Sequence, residues 1–501
     1  MAFKVNCASV VGVDAHPVEV EVDLVRRLPK TTIVGLPAGA VREAVERVRS
    51  AVAAAELEYP RHRVTINLAP ADLRKEGTGF DLPIAVAILA AQGDVPADLL
   101  HRYLFVGELG LDGALRPVRG ALALALKARE MGLDGVVLPA GCASEAAVVP
   151  DIDVWQATSL RQVVDMLTGA RPLDRARTTD GPAMHSASDL CQVRGQEVAK
   201  RALEIAAAGG HNLLLVGPPG CGKTMLATRL PGILPSLTYE EALEATRVHS
   251  VAGILPRGLG LLRSRPYRAP HHSVSTAGLL GGARLRPGEV SLAHQGVLFL
   301  DEVAEFPRNV LELLRAPLES REVVLCRAGG TVVLPASFTL VAAANPCPCG
   351  YLGHPSRPCA CTESQVQRYQ ARLSGPLLDR IDLHVSLQPV EVGDLFSRSP
   401  GEPSARVRAR VEAARDRQNH RYADESYRCN AELDGPGARA ASQLTEAGSR
   451  LLKEAVASLA LSGRGHDRLL KVGRTIADLD GSTKVDAMHL AEAVSFRVRQ
   501  S

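Results

Sequence analysis

Short apolar runs alternate with amphipathic stretches along most of the chain. Val64-Thr-Ile-Asn-Leu68, Leu104-Phe-Val106 and Gly135-Val-Val-Leu138 read as strands, while 41–57 and 81–91 read as helices. Residues 1–168 thus predict a mixed α+β unit. Across 169–188 periodicity stops and Pro, Gly, Ser and Arg take over, which reads as a linker. A helix over 195–208 then precedes the apolar strand Asn212-Leu-Leu-Leu-Val216, and further apolar strands follow at Gly296–Leu300 and Phe338–Ala344. Helices alternating with such strands predict a parallel sheet covered on both faces, spanning 189–395. Beyond it, 404–422, 443–461, 464–480 and 485–498 read as helices of a small domain at 396–501. The fold class is α/β: an N-terminal α+β domain, a parallel-sheet core and a helical lid.

Length supports this division, since 501 residues exceed one ordinary core and predict about three domains. A net charge of +3 points to no particular partner, so a nucleic-acid surface would have to be a local patch. No run of about 18 apolar residues is present, and the N-terminus lacks a basic region followed by an apolar one. Neither a membrane span nor a secretory signal is expected, and the expected location is the cytoplasm. The ten cysteines are then thiols or metal ligands before they are disulfides, and four fall between Cys347 and Cys361.

Gly217, Pro218, Pro219, Gly220, Cys221, Gly222, Lys223 and Thr224 match G-x-x-x-x-G-K-[ST] in full, between an apolar strand and the helical segment 225–230. Glycines let the backbone wrap phosphates, and free amides at a helix N-terminus bind the anion. Lys223 should reach the outer phosphates of ATP and Thr224 should hold a magnesium ion. Gly296-Val-Leu-Phe-Leu-Asp-Glu302 ends an apolar strand in two carboxylates: Asp301 for magnesium, Glu302 for the attacking water. Asn345 ends the next strand, where a γ-phosphate sensor would sit; alone, an Asn before Pro346 would be a turn residue. In Ser374-Gly-Pro-Leu-Leu-Asp-Arg-Ile-Asp382, Arg380 is a candidate finger for a neighbouring subunit's site, the alternative being an ion pair with Asp379 or Asp382. Arg464, Arg468 and Arg474 cluster where the lid would face the nucleotide. One would be a second sensor, and Arg464, opening its helix, is the first choice.

Val193-Arg-Gly-Gln-Glu-Val-Ala-Lys-Arg-Ala-Leu203, Arg268-Ala-Pro-His-His-Ser273 and Leu292-Ala-His-Gln-Gly-Val-Leu-Phe-Leu-Asp-Glu302, with the phosphate loop, resemble the magnesium-chelatase-like AAA+ ATPases. Lys75-Glu-Gly-Thr-Gly-Phe-Asp-Leu-Pro83, Gly107-Glu-Leu109 and Arg116-Pro-Val-Arg-Gly120 extend the resemblance over nearly the whole chain, toward the ComM/YifB group. That resemblance implies a homo-hexameric ring and an ATP-driven DNA helicase promoting branch migration of recombination intermediates during natural transformation. A chelatase motor subunit and a protease or regulatory ATPase are the alternatives. The N-terminal segment resembles the Lon protease domain, in a fold also found in a ribosomal protein. Its Ser–Lys dyad has no counterpart here: Thr78 and Lys127 are off-register, and no protease activity is expected. Arg61, Arg63, Arg74 and Lys75 make either a basic patch or a solvated edge.

Cys347, Cys349, Cys359 and Cys361 form two C-x-C pairs around a Gly- and Pro-rich loop. Four thiolates suit a closed, structural zinc site; an iron–sulfur cluster or free thiols are the alternatives, and His354 could replace one cysteine. Glu322-Val-Val-Leu-Cys326 and Thr331-Val-Val-Leu-Pro335 flank Arg327-Ala-Gly-Gly330, which predicts a hairpin. Arg327 at its tip is a candidate DNA-phosphate contact, as are Arg284 and Arg286 in the stretch 276–289; a plain structural hairpin is the alternative. The arginine run 406–421 reads as a solvated helix face.

Overall fold

The computed structural model describes residues 2–178, 188–256, 258–282, 285–327, 330–389 and 401–497. In the N-terminal part, eight strands form one sheet in the order Asp174–Arg175, Asp153–Ala157, Gly135–Pro139, Tyr103–Phe105, Phe3–Val11, Asp14–Val25, Arg63–Ala69 and Lys30–Val34. Strict alternation builds its longest member: Val18, Val20 and Val22 are buried, while Glu19, Glu21 and Asp23 turn outward. The helix Asp81–Gln92 is apolar on every side and is buried from Asp81 to Ala90. The one charge in that buried stretch is paired. Arg47 grips both Asp81 carboxylate oxygens at 2.7 and 2.9 Å.

Three expected boundaries are corrected. The helix read over 41–57 is two, Gly39–Arg42 and Ala44–Ala54, and it stops before Glu56, whose φ is +59°. The linker read over 169–188 starts inside the sheet: Asp174 and Arg175 pair with Gln156 and Trp155, and Leu173 and Ala176 are buried. Two residues of strand leave no periodicity to read; 179–187 lie outside the described residues. The helix read over 443–461 is the shorter Glu446–Ser458, opened by the Thr445 hydroxyl cap; an unread helix, Gly435–Ser442, precedes it and ends at Gln443 (φ +42°).

The second sheet runs in the order Tyr267–Arg268, Gly296–Leu300, Phe338–Ala344, Leu213–Val216, Leu383–Ser386, all parallel. Its three central strands are continuous apolar runs because helices cover both faces. In such a sheet ligands bind beyond the carboxyl ends of the strands. The lid helix Ser404–Arg421 packs on Glu197–Gly209 and on Lys223–Ile233, the helix that follows the phosphate loop. The helix Tyr239–Ala252 docks the core on the N-terminal part. There the buried Glu145 carboxylate accepts from Ser250 Oγ and from the Ala121 amide, both at 2.9 Å. Among the described residues no helix is long and apolar enough to cross a membrane.

Candidate active site

Three adjacent strands deliver the predicted phosphate-site residues to one place. The loop 217–222 follows Leu213–Val216, Asp301 and Glu302 follow Gly296–Leu300, and Asn345 follows Phe338–Ala344. Glycine is required by backbone at two loop positions: Gly220 and Gly222 have φ of +80° and +92° with open space where a side chain would stand. The helix Lys223–Ile233 starts at Gly222, so its free amides face the loop. Lys223 is 9% exposed. Its ammonium donates to the carbonyls of Gly217 and Pro218 at 2.7 and 2.9 Å and to Asn345 Oδ1 at 3.1 Å. Burial holds its pKa below the ordinary lysine value, against the pull of Asp301 and Glu302. A phosphate oxygen would be a stronger acceptor for that cation than a loop carbonyl.

Thr224 Oγ1 donates to Asp301 Oδ2 at 2.7 Å, so both magnesium candidates share one point. Glu302 is exposed and left-handed, with φ +49°, a costly conformation for a residue with a Cβ. Its amide is anchored on Asp301 Oδ1 at 3.0 Å.

The arginines lie elsewhere. The Asn212 side-chain amide donates to the Arg380 carbonyl at 2.8 Å, while its Oδ1 accepts from the Leu340 amide at 2.8 Å. Asn212 stands at the entry of the strand whose exit carries the phosphate loop. At about 3.3 Å per residue this four-residue strand separates Arg380's anchor from its own phosphate loop by roughly 13 Å. Arg380 donates to the Pro376 carbonyl at 2.6 Å and pairs with Glu319. The alternative partners, Asp379 and Asp382, face Arg468 instead, at 3.8 and 3.6 Å.

Arg380, Arg464, Arg468 and Lys471 line one cleft of about 220 Å³ with Asp382 and Asn212. The helix Gly463–Leu479 turns Arg464, first choice for the second sensor, and Arg468 toward Arg380, at the end of the strand away from the chain's own phosphate loop. Arg474 is fully buried and holds Asp478 and the Thr483 carbonyl at 3.0 and 2.7 Å, a packing role.

Sequence reasoning missed what stiffens this cleft. His211 bonds Asp382 through Nδ1 at 3.1 Å and Thr475 through Nε2 at 2.8 Å, linking core to lid. Burial works against the Asp382 charge, yet the His211 bond and Arg468 draw its pKa down to about 2. Only an Asp two residues beyond Arg380 and a His before the strand signalled this pair in the sequence.

The four cysteine sulfurs converge, all within 4.8 Å of one another. Cys347 lies 3.4 Å from Cys349 and 3.6 Å from Cys359, and Cys349 lies 3.5 Å from Cys359. Sulfurs about 2.3 Å from a tetrahedral zinc stand nearly that far apart. The amides of Leu352 and Cys349 point at Cys347 and Cys361 sulfurs, at 3.3 and 3.4 Å, as ligand-orienting donors do. His354 Nδ1 accepts from the amides of Ser356 and Arg357, outside the sulfur group.

Glu322–Arg327 and Gly330–Pro335 pair antiparallel from Glu322↔Pro335 to Arg327↔Gly330. Arg327 is exposed beside the tip; 328–329 lie outside the described residues, as does Arg284. Arg286 lines a cavity of about 540 Å³ between the N-terminal sheet and the core, with Arg74, Thr78, Glu108 and Arg119. Thr78 Oγ1 there donates to Glu108, while Lys75 is fully buried on the Pro70 carbonyl.

A parallel sheet carrying a phosphate loop, an Asp-Glu strand end and a polar end on the next strand is the architecture of the AAA+ ATPases. Within that class, the chain belongs to the magnesium-chelatase-like family of the ComM/YifB type. Family models described as "Magnesium chelatase, subunit ChlI" match 189–395, "Subunit ChlI of Mg-chelatase" 20–141, and "Magnesium chelatase, subunit ChlI C-terminal" 401–497. YifB of Escherichia coli is 46% identical over 497 residues, covering 98% of this chain and 96% of that one. The competence protein ComM of Haemophilus influenzae is 44% identical over 496 residues, covering 97% and 95%. The magnesium-chelatase 38 kDa subunit of Cereibacter sphaeroides is 25% identical over 338 residues, covering 61% of this chain and 90% of that subunit.

Proposed function

We propose that this protein is an ATP-driven DNA motor, a homo-hexameric ring that moves on single-stranded or branched DNA during recombination. One observation carries the motor reading: phosphate site and arginine cleft stand at opposite ends of the same strand. A chain so built completes its ATP site with a neighbour's arginines, and head-to-tail contacts of that kind close into rings. Lys223 and Thr224 hold ATP and magnesium, Asp301 supports the magnesium, Glu302 orients the attacking water, and Asn345 senses the γ-phosphate. Arg380, with Arg464 beside it, stabilises charge on the neighbour's transferring phosphoryl group.

DNA is favoured as the polymer by the full-length similarity to a protein named for competence, and by a hairpin with Arg327 at its exposed end. The Cereibacter sphaeroides chelatase subunit is only 25% identical and aligns with 61% of the chain, a likeness that supports the motor rather than its cargo. Cys347, Cys349, Cys359 and Cys361 hold a structural zinc, with no ligand position left for chemistry. ATP hydrolysis measured with and without single-stranded and branched DNA, followed by strand displacement, tests the reading. Stimulation by DNA is expected; no binding at low salt and no stimulation would overturn it.

A further inference from the structure

The cysteine site sits against the phosphate loop. Cys347 is two residues beyond Asn345, with Pro346 between them. Gly350, inside the segment joining the cysteine pairs, lies on Pro219 of the phosphate loop. A Cβ there would stand 2.8 Å from Pro219 Cδ and 3.9 Å from Asn345 Cγ, and the backbone is left-handed at φ +85°. Past the last sulfur, Thr362 caps the helix Glu363–Gln370 with its hydroxyl. That helix returns the chain to its start: Gln370 Nε2 donates to the Pro346 carbonyl at 3.3 Å, and Tyr369 beside it is buried. The segment is thus a closed loop, tied at one end by Gln370 and at the other by four sulfurs. Between 348 and 368 only Gly350 is buried, so apolar packing does little to fix its shape.

We propose that the metal held by these cysteines is a clamp on the nucleotide site: it presses Gly350 onto Pro219 and fixes Asn345 against Lys223, so that metal occupancy controls ATP turnover. This rests on the reading of the four sulfurs as a metal site. The cysteines and Gly350 are positioning residues, since none is placed on the reacting phosphate. Metal supplies the ordering that this insertion's own burial does not. With the clamp released, Asn345 loses the fixed 3.1 Å approach to the Lys223 ammonium. Nucleotide binding, carried by the loop amides and the helix terminus, depends on it far less.

The test is made on the purified full chain. Bound zinc is quantified by atomic emission, then removed with a competing chelator, and ATP turnover and the Kd of a fluorescent nucleotide are followed in parallel. Turnover should fall at least about ten-fold while Kd changes less than about three-fold, and added zinc or cadmium should restore turnover. Gly350→Ala should keep its zinc and show the same loss of kcat, which separates the clamp from any general loss of folding. Absence of stoichiometric metal would overturn the metal reading itself. Metal present but removable with kcat unchanged, or Gly350→Ala with full kcat, would overturn the clamp and leave the metal reading standing.

Discussion

Lys223 and Arg380 have opposite surroundings. Lys223 is buried among loop carbonyls and Asn345, with its pKa lowered by burial, a cation suited to a phosphate oxygen. Arg380 is held from behind by Pro376 and flanked by Glu319. Replacing Lys223 with Ala should reduce hydrolysis by at least about 100-fold and weaken nucleotide binding, both measurable on one preparation. Glu302→Gln should keep ATP binding while turnover falls by about 100-fold or more, since positioning of the water is most of what a carboxylate supplies. A Glu302→Gln protein with wild-type turnover would remove that residue from its role. The residues gathered at the phosphate loop were legible in the sequence because each ends an apolar strand, and strand ends of a parallel sheet converge. Orientation of the lid arginines was not. Which way the helix Gly463–Leu479 faces depends on packing against Glu197–Gly209, a contact between segments more than 250 residues apart.

At the scale of elements, the apolar strands of the core and the hairpin read true because their patterns are continuous or bounded by clear turns. Phe3–Val11 and Asp14–Val25 went unread, although Val18-Glu-Val-Glu-Val22 alternates cleanly. The acidic outward face of Asp14–Val25 disguised the longest strand of the sheet. The hairpin strands bury Val323, Leu325 and Leu334 yet expose Val324 and Val333, so one face is left for other contacts. Arg327→Ala should lower DNA-stimulated ATP hydrolysis several-fold and spare the basal rate; equal loss of both would argue for a plain hairpin.

Core and lid are joined by the Asp382–His211–Thr475 chain, and its pH dependence has a definite sign. Asp382 titrates near 2 in the folded chain against an ordinary 3.8. Its stabilisation is full above about pH 4 and fades as the pH falls toward 2, amounting to roughly 2 kcal/mol. Urea unfolding should therefore show Asp382→Asn less stable than wild type at pH 5, with the gap closing at pH 2.

Across the whole molecule, two sheets are docked through the helix Tyr239–Ala252. The hairpin leans on the N-terminal sheet as well, since Val332 packs within 3.2 Å of the Cβ position of Gly12. The N-terminal domain thus braces the hairpin that carries Arg327. Disturbing Glu145, which joins Ser250 to the Ala121 amide, should loosen that dock: Glu145→Ala should cost about 1–3 kcal/mol, read as an earlier thermal transition. None of this docking was legible from composition or periodicity, because it joins residues far apart in the chain on separate domains.

The central claim is that each ATP site is shared between copies. Lys223→Ala lacks a working phosphate loop but keeps its arginines; Arg380→Ala should bind nucleotide and hydrolyse almost none. Mixed in equal amounts and allowed to exchange subunits, the two inactive proteins should regain ATPase activity toward about a quarter of wild type, the fraction of interfaces pairing an intact loop with an intact finger. Mixtures no more active than either variant alone, with subunit exchange demonstrated, would contradict the shared site.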